Sequence, residues 1–204
     1  MAGVLALGAG AFFLLAPANQ PLKPGEIPLS EEMRRLDAGE TLLIQLEPTG
    51  GEGVAAQAKA VIEAPVSKVW PAVRDCQHFS EFMPRIIESE LRKTEGNTLL
   101  CYIKVDMPWP VDDLEAETLS TIEELPDGVF KRSWTLTKGS FKRNNGSYVA
   151  EPFRGDANRT LLTYSVDVSP DVPIPDVILK KAQSTSLPEV FIRIAERVGA
   201  KPRS

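Results

Sequence analysis

Residues 54 to 91 read VAAQAKAVIEAPVSKVWPAVRDCQHFSEFMPRIIESEL. They open as a strand. Val54, Ala56, Ala58, Ala60 and Ile62 alternate with Gln57, Lys59 and Glu63, a period of two with one apolar face. Ala64-Pro65 ends the strand and starts a helix, because proline presets the first helical φ and has no donor to lose there. Val66, Val69, Trp70 and Val73 follow at helical spacing and form one apolar stripe. Pro71 falls in the second turn, where it removes a backbone hydrogen bond and should bend the helix. A short aromatic turn follows, with His78, Phe79, Phe82 and Met83 before Pro84, and alternation resumes at Ile86. The order is strand, two short helices, strand.

Downstream of this unit the pattern is a meander. Strands are expected near 85–94, 97–107, 114–124, 129–137, 146–152 and 159–168. The turns between them are expected at Glu95-Gly96-Asn97, Pro126-Asp127-Gly128, Asn144-Asn145-Gly146 and Arg154-Gly155-Asp156. Inward faces are Leu99, Cys101, Ile103, Val105 and Met107; Phe130, Trp134 and Leu136; and Leu162, Tyr164, Val166 and Val168. Helix is expected over 176–185 and again over 187–198. Ser186-Leu187-Pro188-Glu189 reads as a capping box, and Leu187, Val190, Phe191, Ile194, Ala195 and Val198 make one stripe.

Upstream, residues 1–18 carry about fourteen apolar residues, too few to span a bilayer comfortably. Ala16-Pro17-Ala18 has the small-x-small form of a signal-peptidase site, although no Lys or Arg precedes the run. Residues 1–18 are therefore expected to be a signal peptide or hydrophobic anchor, and the protein to be exported to a periplasm or secreted. Residues 19–51 read as a linker with a short helix capped by Ser30 and an added strand at 41–47 that pairs with the strand at 54.

The order of these elements, with Ala64-Pro65, the Val69-Trp70 pair, Asp75 and Phe79-x-x-Phe82-x-Pro84, resembles the START-like (SRPBCC) superfamily. That superfamily includes polyketide cyclases and coenzyme Q-binding proteins. The resemblance covers about residues 52–199, with 200–204 as a tail. It implies an α+β helix-grip fold, a strongly curved antiparallel sheet of about six to seven strands wrapped around a long C-terminal helix. The Met107-Pro108-Trp109-Pro110 segment is similar to a family motif, but Leu114 stands where the family has arginine. Trp109 reads as a staple on its turn, or as a residue at the cavity mouth or in lipid.

The resemblance also implies a cavity for an apolar ligand between sheet and C-terminal helix. Candidate lining residues are Trp70, Phe82, Met83, Ile103, Val105, Trp134, Phe141, Tyr148, Tyr164, Ile178 and Phe191. Each of these is equally a core side chain in type.

The remaining composition narrows the chemistry. Net charge is −5, which argues against a nucleic-acid partner. Residues 174–204 hold six Lys/Arg against three acids, hence +3, a solvated helix face or a transient contact with anionic lipid. Lys138, Lys142 and Arg143 are either loop charges or a head-group contact. The single histidine, His78, has a packing or capping role. Cys76 and Cys101 read as small core residues, with a disulfide or a nucleophile as alternatives. Asn145-Gly146-Ser147 and Asn158-Arg159-Thr160 match the glycosylation triplet, the first being better read as a turn.

No catalytic or metal motif is present and no cofactor is expected. The function expected is a monomeric carrier or chaperone for a lipid, quinone or other hydrophobic small molecule. The alternatives are a cyclase/aromatase-like enzyme and an interaction protein with a filled cavity.

Overall fold

The computed structural model describes residues 21–174, 178 and 185–201. The helices expected over 176–185 and the segment 1–18 fall largely or wholly outside these residues. A single antiparallel sheet carries eight strands: β1 (Leu42–Leu46), β2 (Val54–Ile62), β3 (Ile86–Glu95), β4 (Thr98–Val105), β5 (Leu114–Leu125), β6 (Val129–Gly139), β7 (Phe141–Phe153) and β8 (Asp156–Pro170). Their order is β1-β2-β8-β7-β6-β5-β4-β3. The count exceeds six to seven because β1 pairs with β2, Leu42 opposite Lys59, and extends the same sheet. The described helices are α1 (Leu29–Asp37), α2 (Val66–Arg74), α3 (Phe79–Phe82) and α4 (Leu187–Arg197).

The pleat decides which side chains face the helices. Ala56, Ala58, Ala60 and Ile62 of β2, Leu162 of β8 and Ala150 of β7 are buried on the inner face. They form one cluster with Val66, Val69, Trp70 and Val73 of α2 and Leu187, Val190, Phe191, Ile194 and Ala195 of α4. Alanines let a helix approach a strand closely, and α4 contacts β2 directly. The Trp70 ring stacks on Phe130 with centroids 5.4 Å apart.

The opposite face holds a smaller core. Leu36 of α1 and Leu42 pack with Val61, Phe153 and Leu161, and Leu22, Ile27 and Met33 lean on them. Lys59 crosses from the sheet to Glu32 of α1 at 2.7 Å. Much of the expected linker is thus packed structure. Ser30 is not the cap of α1, because the helix starts one residue earlier, after Pro28, without a side-chain cap bond. Ser186 is already helical in φ and ψ, so its hydroxyl makes no capping bond, while Pro188 does sit in the first turn of α4.

The sheet opens between β6 and β7. The two strands pair only from Phe130–Ala150 to Trp134–Gly146. Beyond Trp134, β6 stays with β5, and the first residues of β7 stay with β8. Ser140 makes the crossing: its amide donates to the Glu115 carbonyl, and its own carbonyl accepts from the Asp171 amide. The turn expected at Asn144-Asn145-Gly146 is therefore absent, and these residues are extended strand. Gly146 is needed for space instead. A Cβ there would run into the Trp134 ring and lie 2.5 Å from the Ser165 carbonyl oxygen.

Both sheet edges are modified. Leu22 bridges to β1, its amide donating to Leu43 O at 2.7 Å and its carbonyl accepting from Gln45 N at 2.8 Å. β3 has register shifts between Ile86 and Glu88 and between Leu91 and Lys93.

Cys76 and Cys101 form a disulfide, which corrects their reading as separate core residues. The 3-10 turn Cys76–His78 after α2 lays Cys76 over β4, and both cysteines are buried. The bond closes a loop of sequence separation 25. Replacing both cysteines by serine should lower stability by about 2–4 kcal/mol, read as a shift in denaturant midpoint.

Candidate functional site: an apolar cavity with one buried cation

The helices seal one end of the inner face and leave space at the other. A cavity of about 280 Å³ lies there, just below the ~300–1,000 Å³ usual for ligand pockets. Ile103 and Val105 of β4, Leu114 of β5, Val166, Val168 and Pro170 of β8, Phe141 of β7 and Leu187 and Val190 of α4 form its apolar wall. From Tyr164 to Pro170 the wall runs along one strand for roughly 20 Å.

The structure brings Met83, Ile103, Val105, Trp134, Phe141, Tyr148 and Tyr164 together on this wall. Four other expected residues lie elsewhere. Trp70 and Phe191 are buried in the core between α2, α4 and the sheet, since their stripes turn them toward the alanine-lined end. Phe82 packs edge-on against Phe79 and borders an outer cleft with Asp75, His78 and Arg197. Ile178 is helical and half-buried, and is not among the described lining residues. Leu136 does not reach the wall either, because it lies beyond the point where β6 leaves β7.

The polar part of the wall is a row set by strand register. Arg132 pairs with Tyr148, and Tyr148 with Tyr164. The two phenol rings stack at 4.5 Å, and Trp134 lies tilted against both, 5.5 and 6.1 Å away. The Trp134 indole donates to Asn144 Oδ1 at 3.2 Å. Thr118 completes the polar wall on β5.

Arg132 is the residue that the sequence reading passed over, although it alternates with Phe130 and Trp134 on the inward phase. It is 3% exposed. Its Nε donates to Ser120 Oγ at 3.1 Å, Nη1 to the Val73 carbonyl at 3.0 Å, and Nη2 reaches the Cys101 sulfur at 3.5 Å. The guanidinium also lies 5.2 Å from the Phe79 ring centroid and 5.7 Å from that of Trp134, within cation–π range. Burial lowers its pKa to about 10, which leaves it charged at neutral pH. Burial raises the Tyr164 phenol to about 12 and the Tyr148 phenol well above its ordinary range.

The other expected contacts are occupied within the fold. Lys138 faces Glu117 at 3.6 Å, Lys142 faces Glu52 at 3.3 Å, and Arg143 pairs with Asp167 at 2.8 Å. His78 sits outside the cavity, its Nδ1 2.6 Å from Glu81 Oε1. Trp109 is 92% exposed, so it is not a staple on its turn.

A curved sheet gripping a C-terminal helix around an apolar cavity defines the helix-grip class. The chain belongs to the family described as polyketide cyclase / dehydrase and lipid transport, whose model matches residues 62–192. A STAR-related lipid transfer protein fragment from Xanthomonas axonopodis superposes with a TM-score of 0.67 at 19% identity, over 80% of this chain and 94% of that one. Human StAR-related lipid transfer protein 5 gives 0.67 at 10% identity, over 79% and 82%. A Thermus thermophilus protein gives 0.60 at 15% identity, over 71% and 96%. No curated protein matches the chain.

The raised phenols carry a sign. A folded-state pKa above the unfolded value of about 10 adds stability that is complete below pH 10 and lost as pH rises through about 12 for Tyr164. An absorbance titration should therefore find Tyr148 and Tyr164 still protonated near pH 11, where an ordinary phenol is mostly ionised. Gly146→Ala should cost about 1–3 kcal/mol in stability, because the added methyl meets the Trp134 ring and a strand carbonyl.

Proposed function

We propose that this protein is an exported, monomeric carrier for a hydrophobic small molecule held in the cavity between the sheet and α4. The observation that carries the reading is the cavity itself, about 280 Å³ behind a wall of Ile103, Val105, Val166, Val168 and Phe141. That open space argues against an interaction protein with a filled interior. The size suits a single apolar chain or a small ring system.

Cyclase-like chemistry would need a group that takes a proton near neutral pH. The described lining residues include no carboxylate and no histidine, and both lining tyrosines have raised pKa values. This favours binding over proton transfer. The Cys76–Cys101 disulfide supports export, since such bonds persist in oxidising compartments and are rare in the cytosol. On this reading residues 1–18 direct export. Trp109 follows two residues after the lining residue Met107 and stands 92% exposed, which supports a transient membrane contact near the cavity.

Ile103→Trp adds an aromatic ring to the cavity wall. It should weaken binding of an apolar fluorescent probe about tenfold or more while leaving the circular dichroism unchanged; unaltered probe affinity would remove the cavity as the site. Trp109→Ala should reduce co-sedimentation with anionic vesicles several-fold and leave probe binding in solution intact.

A further inference from the structure

The polar groups of the cavity are unequally matched. Arg132 has five N–H donors, and three have acceptors among the described residues. One of those three acceptors is a disulfide sulfur, a weak one. Among the described residues, each terminal nitrogen thus keeps one N–H without an acceptor. No ion pair to Arg132 occurs among the described residues, and no carboxylate lines the cavity among them. Asp75 acts on the guanidinium only at a distance. A buried charge without a paired counter-charge is unfavourable, and a ligand that supplies one in direct contact gains what the protein lacks.

The neighbours point the same way. Asn144, opposite Val168, accepts from the Trp134 indole, and its amide nitrogen is a further donor on the wall. Tyr148 and Tyr164 stand in the same cross-strand row as Arg132 and keep their protons at neutral pH. The row therefore holds a cation and two neutral phenols, with no anionic acceptor among the described lining residues. It also lies at the closed end of the cavity, where the Cys76–Cys101 bond and α2 cover the sheet. The other end of β8, at Val168 and Pro170, is apolar apart from Asn144, which pairs with Val168. A molecule that fits this gradient has an acceptor head and a carbon tail.

We propose that the cavity takes a single-chain amphiphile ending in a carboxylate, with the carboxylate on Arg132 and the chain along Ile103, Val105, Val166 and Val168. The two N–H groups left on Nη1 and Nη2 suit the two oxygens of a carboxylate, the pairing in which arginine is strongest. The ammonium of a lysine cannot reproduce that fork. This inference rests on the cavity being the ligand site, and it adds which chemical class is bound and which way round.

The test is calorimetric titration of the full chain with three probes of one chain length: dodecanoate, dodecanol and dodecyltrimethylammonium. Dodecanoate should bind roughly tenfold or more tightly than dodecanol, and the cation should not bind measurably. Arg132→Met should lower dodecanoate affinity about tenfold or more and leave dodecanol within about twofold. Arg132→Lys, which keeps the charge, should retain part of the preference. Should Arg132→Met fail to fold, the probe comparison on the unmutated chain and the Arg132→Lys titration decide. Equal binding of acid and alcohol to the unmutated chain overturns the assignment of Arg132 and leaves the cavity reading standing. Binding of none of the three overturns both.

Discussion

The close approach of α4 to an alanine-lined strand is the constraint from which the rest follows. One sheet has no second sheet to close its inner face, so helices must cover it. Ala56, Ala58 and Ala60 make room at one end of β2, and the stripe of α4 beds there with that of α2. Beyond Ala56, which stands opposite Val166, the inward residues are Val54, Val168, Phe141 and Ile103, which are too large to admit a helix at the same depth. The helices therefore stand off, and the stand-off is the cavity. The aromatic row of Trp134, Tyr148 and Tyr164 lies at the boundary between the two regimes.

Much of this was legible in residue order. The alternation in β2, the stripe of α2 and the stripe of α4 each depend on local periodicity, and each formed where the pattern lay. Periodicity gave weaker guidance for Asn144-Asn145-Gly146, where turn-forming residue types stand in an extended strand. There a contact distant in sequence decides: the Trp134 ring needs the space that only glycine leaves. The lining was only partly legible for a related reason. Alternation tells which residues face inward, but not which inward residues lie under a helix. Trp70 and Phe191 face inward and are core, whereas Met83 and Phe141 face inward and meet open space.

Arg132 shows what a polarity pattern hides. A charged residue between Phe130 and Trp134 looks like a break in the apolar face, and its burial depends on partners from three other elements: Ser120 on β5, the Val73 carbonyl at the end of α2, and Cys101 on β4. None of them is near it in sequence. The disulfide belongs to the same assembly, since it fixes the turn after α2 over the strand that Arg132 reaches. Two features that looked unrelated, a pair of scattered cysteines and one misplaced arginine, thus close the same end of the cavity.

An open sheet has two free edges, and each is a template on which another chain can add a strand. Here both are blunted in different ways. Along β1 the Leu22 backbone already occupies donor and acceptor positions that an incoming strand would use. Along β3 the register breaks twice, and the strand carries Glu88, Glu90, Arg92, Lys93 and Glu95. Bulges twist an edge away from flat pairing, and charges on it repel or must be desolvated. The same sheet that leaves its inner face open over a cavity thus keeps both of its edges poorly suited to accept the extended strands of its own copies.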